Sequence, residues 1–386
     1  MDAPRTDRLA SLTGLRFAAA LGILLFHYGE PLVRAAPAAL ERIRAGGYVW
    51  VGLFYLLSGF VLARAHPAPM GRDARRAFWI ARLARLYPAY LLAFALSAPF
   101  ALERWAGHGT AGAAKAAAVA AAALLLVQAW IPPVARLWNT PGWSTSVVLA
   151  FYAAFPFAAA RLARLSRRGL LAALGGAWLL SLAFPLAWLA LRPDGPVADL
   201  TWEEPFWLEA LKFHPLARAG EFLAGVALGL LERRGQLRAP PWAAAPAALA
   251  ALAVLAWGGA QYVLLHNGAL VPLFAIVLLG LARARGAAAR VLGSAPARAL
   301  GDASFALYAL QEPLWLWSRR LLAPDAAAPP SPAFALAFAA GAVAVSVAVS
   351  ALVERPARRA LRAALAPRGA GAGLLARLAP GEREGA

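Results

Sequence analysis

Apolar runs recur along the whole 386-residue chain, each close to the twenty or so residues a helix needs to cross about 30 Å of hydrocarbon. The pattern marks candidate spans at 12–33, 47–64, 86–103, 112–131, 143–160, 169–191, 212–231, 241–260, 268–282, 300–322 and 332–353. Loop charge then threads them, because cytoplasmic loops are enriched in Lys and Arg. Arginine-rich connections fall at 64–85, 161–168 (RLARLSRR), 232–238 (ERRGQLR), 283–290 (RARGAAAR) and after 354. If every candidate crossed, 161–168 would face outward. Treating 112–131, which is mostly alanine and carries Lys115, as a re-entrant or outer-side helix removes the conflict.

The expectation is therefore an all-α polytopic membrane protein with about ten transmembrane helices plus one re-entrant or outer-side helix. Both termini would lie in the cytoplasm of a cell whose inner (plasma) membrane holds the chain. The outer loops become 192–211, 261–267 and 323–331. Residues 1–365 read as one integral membrane domain and 366–386 as a disordered cytoplasmic tail. The start of the chain resembles a secretory signal with RAAPA at 34–38 as a cleavage site, but Arg16 and His27 inside the apolar run argue against cleavage.

Composition sharpens this class. Hydrophobic residues make up 61% of the chain, mean hydropathy is +0.61 and only 15% of residues are charged, against roughly 25% in soluble domains. The net charge of +19 suits anionic lipid headgroups, because the arginines sit in short loops and at the C-terminus. Membrane lipid is thus the expected partner and nucleic acid is not. With no cysteine, thiolate catalysis, disulfides and cysteine metal sites are excluded. Five scattered histidines leave little for a metal.

Ionisable groups inside apolar spans are functional suspects. Arg16 and His27 are eleven residues apart, which brings them to nearly the same helix face about 16 Å apart along the axis. A snorkelling Arg16 and a packed His27 remain the plain alternative. Glu30, one turn past His27, could orient the ring, or be a solvated residue at the helix end. In GYVWVGLFYLLSGF, Gly46, Gly47, Gly52 and Gly59 allow close helix approach and Ser58 adds a hydroxyl. The inner loop carries Arg72, Arg75, Arg76, Arg82 and Arg85. Arg82 and Arg85, one turn apart, could clamp phosphates or anchor the inner face. Glu221 stands one turn after Arg218, so a structural ion pair and a functional site are both open. Glu354 reads as structural. Asp302, Ser304, Tyr308, Gln311 and Glu312 place polar groups along another helix, where they could line a pathway. Asp194, Asp199, Glu203, Glu204 and Glu209, with Trp202 and Trp207, read as a polar loop with an aromatic belt in preference to a glycan site.

These motifs, in order, resemble the bacterial integral-membrane acyltransferase family 3 over nearly the whole chain. The resemblance rests on LTGLRFAAALGILLFHY, with the family's arginine, ten residues, histidine; GLFYLLSGFVLA; FWIARLARLYPAY; WSTSVVLAFYAAFP; RAGEFLAGVALG; LGDASFALYALQEP; and VERPARR. It implies acyl-CoA as co-substrate with no tightly bound cofactor, an acyl group, with acetyl expected, and a hydroxyl acceptor on a cell-surface polysaccharide, glycolipid or related lipid-linked glycan. His27 would be the general base or an acyl relay, with Arg16, Glu30 and Glu221 in the catalytic set. Arg82 and Arg85, together with Arg16, would handle the donor's phosphates or gate its pantetheine arm. Ser58, Trp143, Ser144, Ser146, Tyr152, Tyr308 and Gln311 on the matching motifs would bind substrate, and no metal is implied.

Two positions depart from the family. Val148 stands where a glutamate is usual, and Gln311 where a histidine is usual. Glu30, Glu221 or Glu312 could stand in for the missing carboxylate, or the chain is a divergent subgroup. A transporter or flippase of a glycan or lipid precursor is the rival reading, though its inverted repeats are not visible. An inactive scaffold of a polysaccharide assembly complex would account for Val148 and Gln311.

Overall fold

The structure, a computed structural model, describes residues 10–66, 69–195, 205–284, 287–322 and 329–365. Every regular element among them is helical. Helix α1 (Ala10–Tyr28) stops at Gly29, and the short α2 (Glu30–Val33) has Pro31 in its first turn. Proline lacks the N–H that would continue the preceding helix, and its ring disfavours helical backbone in the residue before it. The unbroken helix expected over 12–33 is thus two helices. His27 occupies the last turn of α1, and Glu30 starts a new element instead of extending the same face.

After α3 (Ala38–Ala45) and α4 (Trp50–Ala65) comes α5 (Arg72–Glu103), a 32-residue helix about 48 Å long. Most of the loop expected over 64–85 is therefore helix, because arginine, alanine and leucine are all good helix formers. Its arginines lie on a rod that runs into the bundle. Helix α6 (Gly109–Leu124) has 16 residues, about 24 Å, and two 3₁₀ turns at 128–130 and 132–134 lead on to α7 (Gly142–Leu162). Helix α8 (Arg167–Leu191) starts on Ser166, whose hydroxyl accepts from the Gly169 N–H at 3.2 Å.

The second half comprises α9 (Phe206–Phe213), α10 (Pro215–Arg233), α11 (Ala244–Trp257), α12 (Tyr262–His266), α13 (Val271–Leu281), α14 (Ala287–Leu292), α15 (Ala295–Leu322) and α16 (Pro332–Val349). A π-helical turn (Ser350–Glu354) joins α16 to α17 (Arg355–Leu365). Seven helical segments among the described residues are long and apolar enough to cross a membrane: those around α1, α4, α5, α7 and α8, the α12–α13 stretch, and α16 with its continuation. Helices α10 and α15 have the length, with 19 and 28 residues, but carry charge. With the shorter α11, each of the ten expected spans has a helical counterpart. The tail 366–386 lies outside the described residues.

Helix α10 is the hub and packs on α4, α8 and α7, while α1 lies against α15 and α4, and α15 against α16 and α5. The α4–α10 contact is backbone against backbone. A Cβ on Gly225 would strike the Leu56 carbonyl of α4, and one on Gly59 would strike the Phe222 carbonyl of α10. Gly225 and Gly229 form the small-xxx-small spacing that permits such an approach. Side chains that fill the rest of this interface, such as Leu56, Phe60, Phe222, Val226 and Leu228, are fully buried.

The arginine-rich connections meet at one end of the bundle. Arg64 pairs with Glu232 at 2.7 Å, Arg283 reaches the same carboxylate at 3.5 Å, and Arg233 donates to the Arg64 carbonyl at 2.7 Å. Arg234 donates to the Leu165 carbonyl at 2.8 Å, and Arg167 to the Gln236 carbonyl at 3.1 Å. Segments near 64, 165, 234 and 283 therefore share a face, as the loop-charge reading requires.

A side chain at the α4–α10 crossing should be intolerable. Gly225→Val forces the helices apart, an overpacking strain of about 1–3 kcal/mol or more, and is expected to lower the thermal midpoint and the monodisperse yield in detergent. Gly341→Val on α16, where an added Cβ meets nothing within 4 Å, should leave both unchanged.

Candidate functional site

The last turn of α1 presents His27 with both ring nitrogens unbonded among the described residues. The residue is exposed. Its electrostatic neighbour is Arg44 of α3. The Arg44 guanidinium grips Glu41 through both oxygens at 2.6 and 2.7 Å and donates to the Phe26 carbonyl at the end of α1. This closes a helix terminus whose last carbonyls lack intrahelical partners. Glu30 faces elsewhere: Arg34 holds its carboxylate at 2.7 and 2.9 Å and keeps it below the usual carboxylate range.

Near the other end of α1, three arginines converge. Arg16 has Arg85 and Arg82 of α5, Tyr152 of α7 and Asp302 of α15 as electrostatic neighbours. Arg82 lies over the rings of Phe78 and Tyr152, at 5.6 and 6.0 Å. Among the described residues neither Arg16 nor Arg85 forms a hydrogen bond or ion pair, and both are half-buried. The arginines cited from two distant motifs thus stand together at the arginine-rich end.

A third group is enclosed between α4, α10 and the end of α12. Arg218 and Glu221, both fully buried, pair through Arg218 Nη2 at 3.1 and 2.9 Å. The other terminal nitrogen lies 2.6 Å from His266 Nδ1, donates to the His266 carbonyl and reaches Asn267 Oδ1 at 3.0 Å. Asn267 in turn donates to the Leu211 carbonyl at 2.9 Å. The guanidinium covers the Tyr55 ring at 5.4 Å, and His266 stacks with Tyr48 and Trp143 at 5.6 and 6.5 Å. Gly52 makes room for the Glu221 carboxylate, which a Cβ there would touch.

The lining residues divide. Tyr308 has Ser144 and Arg218 as electrostatic neighbours, so Trp143, Ser144, Tyr308 and Glu221 gather around Arg218 and Tyr55. Ser146 instead accepts from the Ala129 N–H and donates to the Leu126 carbonyl at 2.6 Å, tying down the segment before α7. Tyr152 stands with the arginines. Gln311, fully buried, bonds the Tyr308 carbonyl at 3.1 Å in its own helix. Glu312 accepts from the Thr140 N–H and from its hydroxyl at 2.6 Å. Ser58 is half-buried and has no hydrogen bond among the described residues. Val148 packs half-buried against the aromatic cluster of α4 and α7. Each candidate stand-in carboxylate is engaged elsewhere: Glu30 with Arg34, Glu221 with Arg218 and Glu312 with Thr140.

Sequence reasoning missed Arg44, His266, Asn267 and Thr140. His266 and Asn267 are adjacent polar residues between apolar helices, a signal that was available. Arg44 gave none, since only folding brings α3 onto the end of α1. Of the outer acids, Asp194 accepts from the Trp188 side chain at 2.8 Å and from the Leu208 N–H at 2.9 Å, and Glu209 pairs with Arg136 at 2.9 Å. Both serve the fold. Asp199, Trp202, Glu203 and Glu204 lie outside the described residues.

A family model described as an acyltransferase domain matches residues 9–351. Over 336 residues, 83% of this chain and 82% of the relative, the sequence is 31% identical to acyltransferase MdmB of Streptomyces mycarofaciens. A stretch of 96 residues, 24% of this chain and 46% of the relative, is 41% identical to protein 2 in the picA locus of Rhizobium radiobacter. No solved structure matches the chain.

The enclosed ion pair makes a clear demand. Arg218→Met leaves the Glu221 carboxylate buried without its partner, a loss of about 3–5 kcal/mol, and should sharply lower the thermal midpoint. Removing both charges, Arg218→Met with Glu221→Leu, should restore most of it. A double variant no more stable than the single one would show that the carboxylate is not what the arginine neutralises.

Proposed function

The chain belongs to the acyltransferase family whose model it matches over residues 9–351, and from that premise we propose that this membrane acyltransferase carries an acyl group from acyl-CoA to a hydroxyl. The donor is taken up at the arginine-rich face, which the positive-inside tendency places in the cytoplasm. The acyl group is expected to be acetyl, and the acceptor a cell-surface polysaccharide, glycolipid or related molecule.

The supporting observation is the division of labour along α1. At one level Arg16 and Arg85 have guanidinium groups uncommitted among the described residues; eleven residues on, about 16 Å along the axis, the exposed His27 has an imidazole unbonded among those residues. Guanidinium groups suit phosphates, and a pantetheine arm carries its thioester well away from them. An imidazole suits removal of a hydroxyl proton. As general base, His27 takes the acceptor's proton while its oxygen attacks the thioester carbon. The C–O bond forms, the C–S bond breaks, and the proton passes to the departing thiolate. Arg44, committed to Glu41 and the end of α1, holds the helix terminus that carries His27.

Membranes carrying His27→Ala should fold and bind CoA but lose transfer from radiolabelled acyl-CoA by about 10²–10⁴-fold, the usual weight of a general base; undiminished transfer would exclude His27 from the chemistry. Arg85→Ala should raise the KM for acyl-CoA without changing that for the acceptor. A raised acceptor KM alone would move the donor site elsewhere.

A further inference from the structure

Bringing Arg16, Arg82 and Arg85 together inside a helical bundle is self-repulsive, and two carboxylates stand against that repulsion. Glu354 is the last residue of the π-helical turn, buried at 8% exposure, and the turn packs on α5. Its electrostatic neighbours are Arg85, Arg358 and Asp302. Asp302, on α15 where Gly301 meets α1 at Thr13, is a neighbour of Arg16 and pairs with Arg355 of α17 at 3.3 Å. The carboxylates therefore belong to one charge group with the arginines, each facing a different one. Within the π turn, Ser350 and Glu354 are buried while Ala351, Leu352 and Val353 are exposed. Turns of this kind are rare and gather at functional sites. Glu354 lies just past the residues matched by the family model.

We propose that Glu354 and Asp302 are built-in counter-ions of the arginine group, which offset its repulsion through space and lower its attraction for the donor's phosphates. The inference rests on the reading of these arginines as the donor site. A carboxylate can only accept hydrogen bonds, so it cannot bind phosphate itself and repels it. Its removal therefore has opposite effects on the protein and on the ligand: the fold loses a neutralising charge while the site gains attraction for an anion. A carboxylate that merely stabilised the fold would weaken the first without touching the second. One that positioned Arg85 for phosphate would weaken both.

The experiment is thermal unfolding of the purified full-length protein with and without free CoA. Glu354→Gln is expected to melt lower than wild type without CoA, yet show a larger CoA-induced rise, equivalent to about a tenfold lower Kd, or roughly 1.4 kcal/mol. Glu354→Asp, which keeps the charge, should show a rise of wild-type size. A rise in Glu354→Gln equal to or smaller than that of wild type overturns the counter-ion role. If Glu354→Gln does not fold, Asp302→Asn makes the same comparison with the same deciding outcomes. A wild-type protein that CoA does not stabilise overturns the acyl-CoA reading instead; repeating the comparison with pyrophosphate then decides the counter-ion role, a larger rise in the variant supporting it and an equal one ending it.

Discussion

Everything at the centre of this bundle depends on burying Arg218 and Glu221 where helices α4 and α10 touch. A guanidinium and a carboxylate removed from water are tolerable only if each is paired and the remaining donors are satisfied. Glu221, the His266 carbonyl and Asn267 meet most of that demand, and the Tyr55 ring covers the cation's face. The arrangement works because glycines bring the two backbones into contact, with Gly52 beside the carboxylate itself. Helix contact and cover of the charges coincide there: a wider crossing would lift the Tyr55 ring of α4 off the guanidinium.

Around that hub the functional candidates separate by depth. The single helix α1 carries Arg16 at the level of the other arginines and His27 in its last turn. Helix α15 parallels it, with Asp302 beside Arg16 and Trp315 stacked on Tyr28 at 4.7 Å. Two neighbouring rods thus set both the cationic end and the histidine end, so their separation is fixed by helix geometry and not by loops. On the proposed reading, phosphate binding at one level and chemistry at another would benefit from this rigid spacing.

The carboxylate that the family usually places at position 148 has no simple replacement. Val148 joins an apolar cluster, and Glu30, Glu221 and Glu312 are each held by another partner. The charged group beside His27 is instead Arg44, which the chain delivers from α3. A histidine flanked by a committed cation differs in electrostatics from one oriented by an acid.

Much was legible in the sequence because membrane burial writes itself as long apolar runs and loop arginines, and because motif spacing alone sets Arg16 and His27 on one helix face. The same physics made the shared face of the segments near 64, 165, 234 and 283 readable in advance. The break at Gly29 and Pro31 was also written locally, yet hydropathy carried the helix through it and left Glu30 open between orienting His27 and a solvated helix end, where the structure pairs it with Arg34. Helix α5 was underestimated for the opposite reason, since arginines look like loop by hydropathy although they are good helix formers. What only the tertiary structure decided are the long-range partners: Arg44 closing α1, His266 and Asn267 meeting Arg218 across some fifty residues, Thr140 binding Glu312, and Glu354 becoming an electrostatic neighbour of Arg85. A buried polar group must find a partner, but the sequence states only the need; packing decides which distant residue meets it.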